Sequence, residues 1–370
     1  MSKELRILYV EDIEESRNDL IDLLSSEKIN GYTISCDGEA SFDTAINRCN
    51  DYHIVILDIF QGEATRGGAD LGSGTFEKIK EKVFVPVIFY SGDTRNVAEL
   101  KSQVVGVAHK GDGGYDELKI ELERLTKHNI PFLKENIHSY FEDEYKKYFW
   151  KVIQEQNKTF TPDSDDYSLG YMLLRNIADS LSRKQIKQIL GDEAIHEDKV
   201  HPMEFYIYPT NTVEFENGEI VKKKGTEDVY VIVTPSCDFV ERFNKHGVSV
   251  GRNAEKILLI KATPLTENTE FKKYQSNQNI DNRNALIKLV NSSKSDRFFF
   301  LPGTPFIVNM VLDFQQSTTI EYDSLNNNYE RVAKLDSPYA QSMSASFMRY
   351  YNRVGYPDID TEYIIDNLKI

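Results

Sequence analysis

Residues 53–60 read HIVILDIF, with five apolar residues among the six from Ile54 to Ile59 and Asp58 set between them. The run is too short for a solvent-facing helix and too continuous for a half-exposed strand. It therefore predicts a central parallel strand buried on both faces. Asp58 falls at its carboxyl end, where ligands bind in an open α/β sheet because the loops diverge there. A carboxylate in that place also serves as an ordinary turn residue, so the flanking sequence has to decide between the two.

The flanks alternate strand and helix patterns. Arg6–Val10 (RILYV) is a short apolar strand running into Glu11 and Asp12. Asp12 is placed to cap IEESRNDLIDLLSSE, where Ile13, Leu20, Ile21, Leu23 and Leu24 repeat at helical spacing. After a break at Gly31 come a strand (TISC), a helix (ASFDTAINRCND) and the HIVILDIF strand. KVFVPVIFYS, TRNVAELKSQ, VVGVAHK and GYDELKIELERLTK then read as strand, helix, strand and helix. This alternation over residues 1–125 predicts a doubly wound five-stranded parallel sheet.

Winding of that kind gathers the residues that end the strands into one crevice. They are Glu11 and Asp12, Asp58, Ser91 with Gly92, and Lys110. Clustered carboxylates raise one another's pKa and resist ionisation unless a cation compensates. A hard divalent ion with oxygen ligands supplies that compensation, and Mg²⁺ suits few carboxylates plus waters and a phosphoryl oxygen. The pattern points to a site that receives a phosphoryl group.

The same five positions, in this order within βα units, resemble the receiver domain of two-component response regulators, a flavodoxin-like fold, over residues 4–125. The resemblance implies that Asp58 accepts a phosphoryl group from a histidine kinase or phosphotransfer protein. It implies Mg²⁺ held by Glu11, Asp12, Asp58 and the main-chain carbonyl of Phe60. Lys110 would pair with one phosphoryl oxygen and Ser91 would hydrogen-bond another, shifting its loop on modification. Three features depart from the family: Val107 stands where an aromatic residue is usual, and Gly111 where proline is usual. The insert QGEATRGGADLGSG after Asp58 holds five glycines and reads as a flexible segment; it lacks the GK[ST] ending of a phosphate-binding loop.

Composition narrows the remaining options. The chain has 370 residues, 40% hydrophobic, enough for two or three packed domains. No run approaches the roughly 20 apolar residues that cross a bilayer, and no signal-peptide pattern opens the chain, so a cytoplasmic protein without membrane contact is expected. Cys36, Cys49 and Cys237 form neither a disulfide framework nor a metal knuckle. The net charge of −15 disfavours a generic nucleic-acid-binding output.

Residues 126–202 read as a helical linker or dimerisation region. Ile137, Tyr140, Phe141, Tyr145, Tyr148, Phe149 and Val152 form an aromatic stripe that suits core packing or a homodimer. A second helical region spans Tyr167 to Leu190, with Arg183, Lys184 and Lys187 as a solvated face. His196 and His201 have no cysteine nearby to complete a metal site.

From Met203 the pattern turns to short strands with Gly, Asn and Pro between them. Residues 203–370 thus predict a β-rich α+β module, a small barrel or sandwich, closed by the helix SPYAQSMSASFMRYYNRVG. Its sharpest feature is VIVTPSCDFV, which presents Cys237 and Asp238 on a turn. One reading makes Cys237 a nucleophile with a base such as His246; the other places Cys237 in the core and uses Asp238 as a turn cap.

Overall fold

The structure, a computed structural model, describes residues 4–61, 69–70, 72–127, 129–155, 166–190, 199–210, 212–353 and 358–368. The chain divides into two compact units, Met1–Ile195 and His196–Ile370.

The first unit runs β1 (Glu4–Val10), α1 (Glu14–Ser25), β2 (Lys28–Ile29), β3 (Tyr32–Glu39), α2 (Phe42–Arg48), β4 (Ile54–Leu57), β5 (Phe60–Gln61), β6 (Ala69–Asp70) and α3 (Gly72–Lys82). It continues with β7 (Val87–Ser91), β8 (Val105–His109), α4 (Gly114–Thr126), α5 (Leu133–Lys147), α6 (Asp166–Ser180) and α7 (Arg183–Leu190). The main sheet has the order β2-β3-β1-β4-β7-β8. The five strands from β3 to β8 pair in parallel, and β4, the HIVILDIF strand, lies inside the sheet with all four residues buried. β2 is a sixth, antiparallel edge strand. It arises because Asn30 (φ 48°) and Gly31 (φ 83°) make a tight hairpin turn where the sequence suggests a plain break.

Both sheet faces are covered. Leu20 and Leu24 of α1 and Leu118, Leu122 and Leu125 of α4 join one core cluster, while Phe42 and Ala45 of α2 and Phe76 and Ile79 of α3 join the other. Each of these Leu, Ile and Phe side chains, when fully buried, contributes about 1.5–3 kcal/mol.

Four local expectations change. TRNVAELKSQ forms no α-helix; residues 92–104 hold a single 3-10 turn, Ala98–Leu100. Asp93 accepts hydrogen bonds from the Arg95 main-chain N–H (3.1 Å) and Nε (2.9 Å), and Ser102 Oγ accepts from Val105 N (3.2 Å). These side chains satisfy the backbone without a helix, and buried Val97 fills the space beneath. Asp12 does not cap α1: its N-cap is Ile13, whose N–H donates to Glu11 Oε1 at 3.2 Å. Within the insert, Gln61 pairs with Ala69 between β5 and β6 and Gly72–Gly74 begin α3, so these residues are ordered elements; residues 62–68 and Leu71 lie outside the described residues. The aromatic stripe beyond residue 132 is not a core face either. α5 buries no residue; Tyr148 is buried in the π-helical turn Tyr148–Gln154 that follows, whereas Tyr145, Phe149 and Trp150 are exposed.

Arg6 and His53 pair with Glu135 of α5, and Lys134 Nζ donates to the Asn50 carbonyl at 2.9 Å. Lys187 departs from the solvated face expected of α7, its Nζ being buried with no hydrogen-bond partner among the described residues.

The second unit contains β9 (Tyr206–Ile207), β10 (Glu219–Lys223), β11 (Val229–Ile232), β12 (Arg242–Phe243), β13 (Ser249–Gly251) and β14 (Lys256–Pro264). Then come α8 (Thr269–Ser276), α9 (Ile280–Val290), β15 (Phe298–Leu301), β16 (Met310–Glu321), α10 (Tyr322–Asn328), β17 (Tyr329–Leu335), α11 (Tyr339–Tyr351) and α12 (Thr361–Asp366). Seven strands form one antiparallel sheet, β15-β16-β14-β11-β10-β17-β9, rather than a sandwich. The sheet curls until its edges meet through a side chain: Tyr206 of β9 donates from its hydroxyl to the Pro302 carbonyl, just past β15, at 2.7 Å. Met343 and Tyr350 of α11 pack into the core of this curl, and Arg331 pairs with fully buried Glu219 at 2.6 Å.

Candidate functional site

β1, β4, β7 and β8 end side by side, so parallel pairing brings their last residues to one edge of the sheet. Asp58 N–H donates to the Val10 carbonyl (3.0 Å) and Lys110 N–H to the Ser91 carbonyl (2.8 Å), which ties the end of β4 to that of β1 and the end of β8 to that of β7. Lys110 Nζ reaches Asp58 Oδ2 at 2.8 Å and also pairs with Glu11 Oε2. Glu11 is fully buried and Asp58 is 6% exposed. Ile59 N–H donates to Asp58 Oδ1 at 2.7 Å, which fixes the plane of the carboxylate.

Of the residues read from the sequence, Glu11, Asp58 and Lys110 converge, and Ser91 lies buried at the adjoining strand end. Asp12 is half-buried, and its main-chain carbonyl accepts from Arg17 Nη1 at 3.4 Å. Phe60 opens β5 two residues past Asp58. Among the described residues, no three His, Cys, Asp or Glu side chains are grouped closely enough to hold a metal ion. The donor set nevertheless suits a hard divalent cation: two buried carboxylates share one ammonium, which leaves surplus negative charge on oxygen ligands alone. Lys110 compensates part of that charge, and burial of an unpaired carboxylate in its absence would be costly.

Two glycines shape the edge. A Cβ at Gly72 would lie 2.2 Å from the Asp58 carbonyl oxygen and 2.5 Å from Ile59 Cα, so only glycine lets α3 start against the strand end. A Cβ at Gly114 would meet the His109 carbonyl oxygen at 2.2 Å, which imposes the same limit on the start of α4.

Tyr9 and Tyr90 belong to the site although both read as strand core in the sequence. The Tyr9 hydroxyl donates to Glu11 Oε2 at 2.7 Å. Lys110 Nζ lies 5.7 Å from the Tyr9 ring centre and 5.6 Å from that of Tyr90, within cation–π range. Burial, and then the Glu11 charge, push the Tyr9 hydroxyl far above its ordinary pKa, so it remains a donor; burial also raises Tyr90. The signal in the sequence is the placement of tyrosines two residues before Glu11 and one before Ser91, among otherwise aliphatic strand residues.

In the second unit, Cys237 is exposed and does not fill the core. The turn is held by its neighbours. Thr234 Oγ1 accepts from Leu258 N (2.8 Å), Ser236 Oγ from Asn217 N (3.0 Å), and the Asp238 carbonyl from Ala254 N (3.0 Å). With those bonds made, the thiol points outward, and Asp238 Oδ1 lies 3.9 Å from its sulfur. His246 sits in the turn between β12 and β13, where its N–H donates to Asn244 Oδ1 at 2.9 Å, and among the described residues no hydrogen bond joins it to Cys237. His201 caps a 3-10 turn by accepting from Met203 N at 3.2 Å; His196 lies outside the described residues. No described helix is long and apolar enough to cross a membrane.

No family model matches the sequence. Nor does any curated protein. Among solved structures, the chain is similar to a two-component transcriptional regulator AraC from Clostridium phytofermentans ISDg, with 20% identity over 34% of this chain and 97% of that one and a TM-score of 0.25. It is similar to a response regulator from Desulfuromonas acetoxidans, at 20% identity over 33% of this chain and 97% of that one, TM-score 0.26. A third similarity, at 10% identity over 32% and 96% and TM-score 0.23, is to a structure of the phosphorylated P1 domain of CheA3 in complex with CheY6 from R. sphaeroides.

Proposed function

We propose that residues 4–125 act as the receiver of a two-component response regulator and that the rest of the chain is the output it switches. The observation that carries this reading is the placement of Lys110 Nζ 2.8 Å from Asp58 Oδ2, beside buried Glu11, at the carboxyl edge of a parallel sheet. A carboxylate oxygen of Asp58 attacks the phosphorus of a phosphohistidine on the partner kinase or phosphotransfer protein. A P–O bond forms as the P–N bond breaks, and its electron pair stays on the imidazole nitrogen, which is then protonated. Lys110 follows the charge onto the phosphoryl oxygens, while the Ile59 N–H keeps the Asp58 carboxylate oriented.

Glu11, Asp12, Asp58 and the Phe60 carbonyl would hold Mg²⁺, which when bound screens the charge on the transferred oxygens. Ser91 would hydrogen-bond a phosphoryl oxygen. The residues that follow it form a loop with one 3-10 turn, so the motion of Ser91 would pass through that loop and β8 rather than through a helix, and from there to homodimerisation or to release of the output part. A second reading, favoured by the exposed Cys237, is a thiol-dependent activity in the second unit, with Asp238 beside the thiol.

Incubation with phosphoramidate in MgCl₂ should add the mass of one phosphoryl group to the wild type, not to Asp58→Asn, and not in EDTA. Equal labelling of both proteins, or none of either, refutes the assignment.

A further inference from the structure

We infer that Tyr9 is a positioning residue that aligns Glu11 for Mg²⁺, an inference that rests on the phosphoacceptor reading above. Tyr9 is fully buried, and its hydroxyl donates to Glu11 Oε2 at 2.7 Å. That oxygen also takes Lys110 Nζ and, at 3.4 Å, Ser16 Oγ, so its lone pairs are filled; among the described residues Oε1 accepts from Ile13 N alone, at 3.2 Å. The carboxylate is thus pinned through both oxygens, with spare acceptor capacity on Oε1. With Mg²⁺ compensating the charge in place of Lys110, the Tyr9 hydroxyl would be the strong donor on Oε2 and would keep the carboxylate plane from rotating. The Tyr9 and Tyr90 rings, 6.5 Å apart, flank the ammonium and confine it to the same side of the crevice.

Hydrogen-bond partners behind a ligating carboxylate typically change metal affinity by about 10- to 100-fold when removed. Tyr9→Phe keeps the ring and its packing and deletes only the donor. Titration of the full chain with MgCl₂ by calorimetry, without a phosphodonor, should show Tyr9→Phe binding about tenfold more weakly than wild type. Its melting midpoint in EDTA should stay close to that of the wild type, and phosphorylation at saturating Mg²⁺ should recover. Because Tyr9 acts through Glu11, Tyr9→Phe combined with Glu11→Gln should bind no more weakly than Glu11→Gln alone. Wild-type Mg²⁺ affinity in Tyr9→Phe, or additive losses in the double variant, would overturn the inference and leave the phosphoacceptor reading standing. Absence of Mg²⁺ binding by the wild type would remove both.

Discussion

Lys110 Nζ stands 2.8 Å from Asp58 Oδ2 and pairs at once with Glu11, so a single ammonium holds two buried carboxylates together. Lys110→Ala leaves both without a cation. Removing one partner of a buried pair costs about 3–5 kcal/mol, and the 21% exposure of the Lys110 side chain puts the loss near the lower figure. Addition of MgCl₂ should raise the melting midpoint of Lys110→Ala more than that of the wild type, because the ion supplies the missing charge. An equal rise in both would show that the ion does not enter this cluster.

Gly72 separates steric need from helix propensity. Gly72→Ala forces a Cβ into the backbone of Asp58 and Ile59 and should cost roughly 1–3 kcal/mol, with weaker phosphorylation as the strand end shifts. A Cβ at Gly74, two residues on in the same helix, would meet nothing within 4 Å, so Gly74→Ala should stabilise by about 0.4–1 kcal/mol. Urea unfolding of the two variants gives opposite signs if the packing is as described.

His53 links the sheet to α5 in a pH-sensitive way. Arg6 N–H donates to His53 Nδ1 at 3.0 Å, so the ring proton sits on Nε2, 3.1 Å from Glu135 Oε1; Arg6 also pairs with Glu135. Burial lowers the His53 pKa against the opposing pull of Glu135. Burial would raise Glu135, but His53 and Arg6 more than offset it. A folded-state pKa below the unfolded value means that the folded chain binds fewer protons, so stability is present above the ordinary histidine value of about 6.5 and is lost as pH falls below it. Lowering Glu135 works in the same direction at more acid pH. Unfolding measured from pH 7 to pH 5 should show a steeper loss in wild type than in His53→Asn.

The thiols divide sharply. Burial pushes Cys36 up to about 12 and Cys49 up to about 11, while Cys237 is exposed. Iodoacetamide on the native protein near neutral pH should therefore modify Cys237 alone, and Cys237→Ser should take up no label until it is unfolded. Labelling of Cys237 much faster than a free thiol would favour the thiol-dependent reading.

Much of the first unit is legible because parallel strands buried on both faces write themselves as unbroken apolar runs such as Ile54–Leu57, and their ends then carry Glu11, Asp58, Ser91 and Lys110. The helix expected after Gly92 fails because Asp93 and Ser102 bind the local backbone, a competition that periodicity does not register. Tyr9 escapes a sequence reading since a tyrosine in a buried strand looks like packing until its hydroxyl is seen to reach Glu11. In the second unit, β17 and the α8–α9 pair are not legible: YERVAKL mixes charge into a strand whose burial comes from curling against β10 and β9, a long-range contact absent from any local pattern. Placing Cys237 inside fails as well, because the bonds of Thr234, Ser236 and Asp238 turn it out.

The most direct test is to phosphorylate the wild-type chain, reduce it with borohydride and sequence the peptides by mass spectrometry. Hydride cleaves an acyl phosphate to the alcohol, so an aspartyl phosphate becomes homoserine at the position that carried it. Homoserine is expected at position 58 and nowhere else. Homoserine at another carboxylate, or a label that survives borohydride on a histidine, serine or cysteine, would rule out Asp58 as the phosphoacceptor.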